Sequence, residues 1–571
     1  MSRPQQAPSS FSWLQFIVQH PFAVLLLTAL VTGALAWRLP SLRFETSIYD
    51  MAIEDLPETR AYQAFKERFG CEEMILVVVR AEDVFDPKTF GEVDSLAASL
   101  AEVEGVRRVI SLPGIKKEMD LTGQWDVAAF EQAIEPVDLF TRNLVSEDHA
   151  ATVITLVLED VQNKAPVVRK VEGIIEERRD GLTLYQIGMP LVSEALAEYT
   201  EADFRRLPPV TFLVIALILF LFFRNLRGVL IPAGSVLVAL TWTFGLMAWT
   251  GVPLSMLTMI VPIFIIAVGT AYCMYVFPEY MEAFRETSAS REAVIACFGR
   301  LSFPTALAVV TTTIGLGSLL LNRIQSIRSF ALFACFGIWC MLAIILVVLP
   351  AFLSLLPPPR RAGTPAGRTR RGILARILDA VVRLNLEHQR LTLTVVALLA
   401  LAGLAGVFQI RVETNPVGYF KSNTEVSRHF HDVYRDMAGS FPLNVVLDSG
   451  TADYFEDPGH LRLLESLTPF LTSQEGVDKA ISFADYFKLV NYATNRYEPE
   501  AYALPEEGFE VRMVMNSYKT MLGDDMFQRF MSEDLSTANI LLRTHIASSE
   551  RFLELRKTVL EHLRNTLPEP F

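Results

Sequence analysis

The sequence predicts an α-helical polytopic membrane protein with two exported α+β domains. Three observations carry that prediction. Seven apolar stretches are each long enough to cross a bilayer. The two long blocks between and after them mix short β-type runs with helical spacing. The second block repeats the first in the same order. The 571 residues are 51% hydrophobic but only 20% charged, so several soluble domains alone do not account for the chain.

The apolar stretches are 21–37, 209–223, 229–250, 254–277, 303–321, 330–356 and 391–408, and none holds an internal Lys, Arg, Asp or Glu. Orientation follows from basic residues in short loops. Arg224 and Arg227 follow the second stretch, and Arg285, Arg291 and Arg300 follow the fourth. The linker 357–390 after the sixth carries eight Arg. These loops alternate correctly for one cytoplasmic side, while Arg323 and Arg328 break the pattern. The expected order is a cytoplasmic N-terminus and first helix at 1–37, a first exported domain at 38–207 and helices two to six at 208–356. The Arg-rich linker 357–390, helix seven at 391–409 and a second exported domain at 410–571 follow. Ala34-Leu35-Ala36 leaves a cleaved signal peptide open as the alternative for the first stretch.

The formal charge of -13 sits in the first exported block, where 38–206 holds 19 Lys and Arg against 33 Asp and Glu. This acidity argues against nucleic acid as a partner and serves solubility. Of five cysteines only Cys71 lies in the exported blocks, so no disulfide framework is available there.

Each element of the first block has its own signal. Met74 to Val79 is an apolar β run. Val93, Leu96, Leu100 and Val103 keep helical spacing. Strands at 106–112, 152–158 and 182–187 and a helix near 167–177 complete a βαβ–βαβ order, which suggests a ferredoxin-like fold. In the second block Val412-Glu413-Thr414 matches Phe44-Glu45-Thr46, and 444–447 matches 75–79. Phe455-Glu456-Asp457-Pro458 matches Phe85-Asp86-Pro87, Glu475-Gly476-Val477 matches Glu104-Gly105-Val106, and Ile481-Ser482 matches Ile110-Ser111. The offsets run from 368 to 371, which reads as an internal duplication. After a helix at 548–567 the second unit stops short of the first. An intact protein is expected to continue for about 200 residues or more.

The pattern resembles the resistance-nodulation-division transporter superfamily, in its branch of mycobacterial-membrane-protein-large and hopanoid-exporter-like lipid transporters. The residues that carry the resemblance are Gly188-Met189-Pro190 leading to Asp203, Leu221-Phe222-Phe223-Arg224-Asn225 with Leu230-Ile231-Pro232, and Gly251-Val252-Pro253-Leu254-Ser255. Thr311-Thr312-Thr313-Ile314-Gly315 and Ile324-Gln325-Ser326-Ile327-Arg328-Ser329-Phe330 follow. The resemblance implies duplicated half-units of one helix, a periplasmic domain and five helices, the second incomplete here. It also implies a multi-pass bacterial inner-membrane protein that exports hydrophobic or amphiphilic molecules (hopanoid, sterol, fatty acid or glycolipid) with the proton gradient. A homo-oligomer and a periplasmic partner protein are compatible with it. A non-transporting lipid sensor or scaffold and a protein-export auxiliary are the rival classes.

No enzyme motif stands out, and no phosphate-binding Gly-x4-Gly-Lys-Ser/Thr loop occurs. No cofactor is assigned. His429-Phe430-His431-Asp432 suits a solvated helix face better than a metal, and Gly523-Asp524-Asp525 suits a turn. Proton-driven relatives carry a Gly-x-Asp-Tyr-like pattern in the fourth helix, where this chain reads Gly269-Thr270-Ala271-Tyr272. The tyrosine matches and the carboxylate does not, which puts proton coupling through this half in doubt. Thr270, Tyr272 and Tyr275, with Glu279, and Thr311, Thr312 and Thr313, with the stripe Gly315, Ser318 and Asn322, are the candidate polar path. Helix packing by small and hydroxyl residues is the competing reading. Pro253, Pro262 and Pro278 bracket the fourth helix, and 290–300 reads as an amphipathic helix on the cytoplasmic surface or a plain loop helix.

Overall fold

A computed structural model describes residues 12–44, 56–70, 73–120, 123–159, 164–179, 182–223, 225–287, 289–356, 373–410, 415–546 and 548–568. Cys71, Arg224, most of the Arg-rich run and the 45–46 and 412–414 parts of the first repeat match lie outside the described residues. The chain forms two compact units, one of Met1–Ile53 with Tyr199–Arg411 and one of Glu54–Glu198 with Val412–Phe571.

Among the described residues seven helices are long and apolar enough to cross a membrane, and apart from the first turns of the second, which belong to the other unit, they lie in the first unit: Pro21–Ser41, Met189–Phe223, Arg227–Thr250, Thr258–Thr287, Ser290–Leu321, Gln325–Leu355 and Gln389–Val407. Each expected apolar stretch falls on one of them; 254–277 starts four residues before its helix, and 330–356 and 391–408 each run one residue past theirs. The second stretch is the end of a 35-residue helix that runs through Pro208 and Pro209. Its packed core gathers Val236, Ile265, Ile266, Phe298, Phe333 and Met341. Gly337 has no room for a Cβ, because Ile265 and the Thr243 hydroxyl already fill that space. Small residues let helices approach this closely where water supplies no driving force. The helix Gln389–Val407 buries none of its residues.

Two expectations need correction here. Residues 290–300 are not a separate surface helix; they are the first turns of the continuous helix Ser290–Gly317, held by the buried Ala293, Val294, Cys297 and Phe298. Pro278 is not a terminal breaker, because the helix Val261–Thr287 continues past it. Within the expected linker, Ile373–Glu387 is helical.

The second unit contains two antiparallel sheets. The first consists of β1 (Met74–Arg80), β2 (Val106–Ile110), β3 (Ala151–Leu158) and β4 (Thr183–Ile187), in the order β2-β3-β1-β4. That is the strand order of a split βαβ unit. The β-branched run of β1 is buried along its length, and Val93, Leu96 and Leu100 of the helix Pro87–Ala101 pack with Val168 and Val171 over the sheet. The second sheet consists of β5 (Phe441–Asp448), β6 (Val477–Ile481) and β7 (Thr537–Thr544), in the order β5-β7-β6. Pro442 is tolerated because β5 is an edge strand.

The two blocks repeat in atomic detail. Asp86 and Asp457 each cap a helix that starts with proline. β2 and β6 each carry a register shift, at Val106/Arg108 and at Val477/Lys479. Gly105 and Gly476 precede those shifts with φ of 95° and 88°, a conformation glycine adopts readily. Before β3, Ser146 donates to Asp148 at 2.6 Å and accepts from the Ala151 amide. Before β7, Ser532 donates to Asp534 at 2.6 Å and accepts from the Thr537 amide.

The blocks also share one core. Phe85, Phe90, Phe130 and Phe140 of the first block join Phe455, Phe483, Phe487 and Phe530 of the second. Each block lends the helix before its first strand to the other. Arg68, near the end of Pro57–Phe69, binds Asp448 and Thr537. The helix Glu425–Asp436 lies against β4, where its Asp432 accepts from Tyr185. The sheet edge that β4 would otherwise expose is therefore partnered.

Candidate functional site

The polar residues expected to line a path in the spanning helices only partly meet. The Tyr272 hydroxyl lies 3.5 Å from Thr312 Oγ1. Thr312 also donates to the Ala308 carbonyl at 2.8 Å, and Thr270 donates within its own helix to Ile266 at 2.7 Å. Such bonds satisfy a hydroxyl locally and need no path. Tyr275, Ala271, Thr311, Gly315 and Ser318 are exposed on this unit, so the stripe on the fifth helix faces outward. Thr313 Oγ1 is buried without a hydrogen-bond partner among the described residues. Glu279 is paired with Arg300 at 3.1 Å, and Arg300 reaches Glu286 at 2.7 Å. That ion-paired cluster ties two consecutive spanning helices together.

A second place combines shape with charge. An open cleft of about 710 Å³ lies in the second unit between β4 and the helix Glu425–Asp436. Its floor is Leu184 and Tyr185, and its walls carry Arg179, Arg428, Arg435, His429 and His431. Glu425, Asp432, Ser422 and Ser427 complete it. The amphipathic helix turns Val426, Phe430 and Val433 inward, which leaves positions 428 and 435 on the outer face. Neither Arg428 nor Arg435 has a carboxylate within ion-pair distance among the described residues. Arg179 is 3.6 Å from Glu172.

Behind the floor sits a bonded network. Tyr185 donates to Asp432 at 2.8 Å, and Arg80 reaches Asp432 at 3.0 Å and Asp436 at 2.6 Å. Burial pushes the Tyr185 phenol up, and its bond to Asp432 adds to this against the opposing Arg80 charge. Arg80 stays cationic: burial works against the charge, but Tyr185, Asp436 and Asp432 outweigh it. The His429 ring stacks on Tyr185 with centroids 4.3 Å apart, and burial lowers its pKa against the pull of Glu425 and Asp432. His431 Nδ1 sits 2.9 Å from the Ser427 carbonyl. The two histidines of the His-Phe-His-Asp run thus have separate structural contacts. Sequence reasoning missed this cleft. Tyr185 and Asp432 are 247 positions apart, and no local pattern announces their pairing.

The MMPL family model matches residues 54–387, more than half of the chain. The chain belongs to the MMPL family. That places this polytopic membrane protein among membrane transporters. The matched region of the MMPL chain takes in most of the first hydrophilic block and spans two to six. The MMPL chain is also similar to a protein of Methanocaldococcus jannaschii named as a membrane protein, 20% identical over 360 residues. That match covers 59% of this chain and 91% of the relative. It is similar as well to the apo-petrobactin exporter of Bacillus anthracis, 24% identical over 166 residues. That match covers 28% of this chain and 22% of the exporter.

Proposed function

We propose that this MMPL chain exports hydrophobic or amphiphilic lipids from the bacterial inner membrane, with the second unit on the periplasmic side. The single observation that carries the reading is the MMPL match over residues 54–387, and the exporter relative supports it. Hopanoids, sterols, fatty acids and glycolipids are the substrate classes we assign. The cleft beside β4 takes the polar head of such a molecule. Arg428 and Arg435, which have no carboxylate partner among the described residues, with Arg179 at the rim, favour a head with negative charge, because guanidinium groups bind carboxylate and phosphate in a fork geometry.

The drive we assign is the proton gradient. Ala271 cannot hold a proton, so in the intact protein the titrating group is not at the position where proton-driven relatives carry their carboxylate. Tyr272 and Thr312 are the pair left to carry a hydrogen-bonded path in this half. Ala271 also favours a second reading, a lipid-binding sensor that keeps the fold without the drive.

Reconstitution separates the two. Vesicles holding the protein are loaded with a fluorescent anionic lipid, and its movement between leaflets and to acceptor vesicles is followed. Transport that depends on the protein and falls in the Arg428→Ala/Arg435→Ala variant supports the exporter. Saturable binding without movement supports the sensor, and neither binding nor movement refutes both.

A further inference from the structure

We propose that the two hydrophilic blocks recognise each other through a charge code that admits a first block only against a second block. The partner this surface fits is the other block of the same chain, and a second copy of the same block is rejected.

Strand register fixes which positions correspond. Arg80 ends β1 opposite Ala151, the residue that opens β3. Asp448 ends β5 opposite Thr537, the residue that opens β7. Arg68 lies in the last turn of Pro57–Phe69, and Asp436 ends Glu425–Asp436. Arg68 and Asp436 are 368 positions apart, and so are Arg80 and Asp448. That is the offset at which Phe44 and Val412 align.

Across the interface these positions meet reciprocally. Arg68 Nη1 lies 3.1 Å from Asp448 Oδ2, and Arg80 Nη2 lies 2.6 Å from Asp436 Oδ2. In each contact a helix-end position meets a strand-end position, as in a self-complementary dimer surface. A third position obeys the same geometry. Arg108, next to the shift in β2, donates to the Leu522 carbonyl at 2.7 Å. Lys479, at the matching place in β6, donates to the Asp138 carbonyl at 2.7 Å. Both positions carry a cation that meets a backbone carbonyl of the other block, and Lys479 is also paired with the Asp138 carboxylate at 2.7 Å, so this third contact by itself rejects neither pairing.

The first two contacts would not. Both first-block positions are arginine and both second-block positions are aspartate. A first block set against another first block would bring Arg68 onto Arg80. A second block against another second block would bring Asp436 onto Asp448. Exposed ion pairs add little to bulk stability, and Arg68 and Asp448 are each about half exposed. Like charges forced together are a more effective means of excluding the wrong partner. Asp432, also on Arg80, strengthens the same sign pattern.

The test is a charge-swap cycle in the full-length protein in detergent, read by the rate of limited proteolysis within 415–546. Arg68→Asp should raise the cleavage rate at least threefold, and so should Asp448→Arg. The double variant should return to within twofold of wild type, because the ion pair is rebuilt with its sign reversed. Arg80→Asp should also raise the rate, and adding Asp436→Arg should recover only part of the loss, since Asp432 still faces the new aspartate. The proposal is overturned if the single reversals cleave like wild type. It is equally overturned if Arg68→Asp/Asp448→Arg stays as labile as the singles.

Discussion

Arg543 on the central strand β7 donates from Nη1 to both the carbonyl and the side-chain oxygen of Asn143, at 3.2 and 2.8 Å, across 400 positions of sequence. Its other nitrogens bind the carbonyls of Gly439 at 3.0 Å and Ala438 at 2.8 Å. A buried guanidinium thus gathers oxygens from both blocks. Burial is the main cause of its pKa falling to about 10, against the pull of Asp478.

Arg543→Leu should be among the most damaging single changes in the second unit. It strands four acceptor oxygens, and the expected loss is about 3 kcal/mol. Arg543→Lys should lose nearly as much, since one ammonium cannot span the fork. Chemical denaturation of the purified protein measures both.

Acid should loosen the contact between blocks. Asp448 is held below its usual range; burial raises it, but the Gly450 amide and Arg68 more than offset this. A lowered carboxylate contributes stability above its unfolded pKa and loses it as pH falls through the folded value. His429 is lowered too, so its stacked neutral form is favoured until it protonates at acid pH. Both groups therefore act in the same direction. Protease susceptibility within 415–546 should rise as pH drops below about 7, the His429 share appearing first and the Asp448 share only below about pH 4. In His429→Phe the earlier part of that rise should disappear.

Arg428→Ala/Arg435→Ala should weaken binding of an anionic amphiphile about tenfold, with a loss that shrinks at high salt, while an uncharged amphiphile is unaffected. Fluorescence titration with matched probes reads the difference. Equal weakening for both probes would remove the cleft's charge from the account.

Thr313 offers a contrast within the spanning helices. Its hydroxyl is buried without a partner among the described residues, so Thr313→Val should be neutral or stabilise by about 1 kcal/mol. Tyr272→Phe/Thr312→Val should instead reduce substrate-linked proton flux while leaving thermal stability within about 1 kcal/mol. Unchanged flux would mean that the pair only packs helices.

Much of this fold is legible in the sequence because its signals are local. Apolar length marks the spans, and the β-branched run Ile75 to Val79 marks β1. Ordered matches such as Gly105 with Gly476 mark the duplication, and the structure gives both glycines the same left-handed backbone. The relation between the copies was not legible. Arg68 meets Asp448 and Tyr185 meets Asp432 only after hundreds of residues have folded between them, and single charged residues carry no periodic trace. At 290–300 the local pattern is amphipathic and does not reveal that the helix continues into an apolar span. The candidate path was half legible. Helical spacing put Tyr272 and Thr311 on stripes, but which stripe faces inward depends on tertiary packing, and the Thr311 side faces outward.

The most direct measurement is lipid movement in vesicles reconstituted with this protein, using a fluorescent anionic lipid and an imposed proton gradient. The account predicts protein-dependent movement that increases with the gradient and falls when Arg428 and Arg435 are both alanine. Movement no faster than in protein-free vesicles, at a protein density where the lipid demonstrably binds, would contradict it.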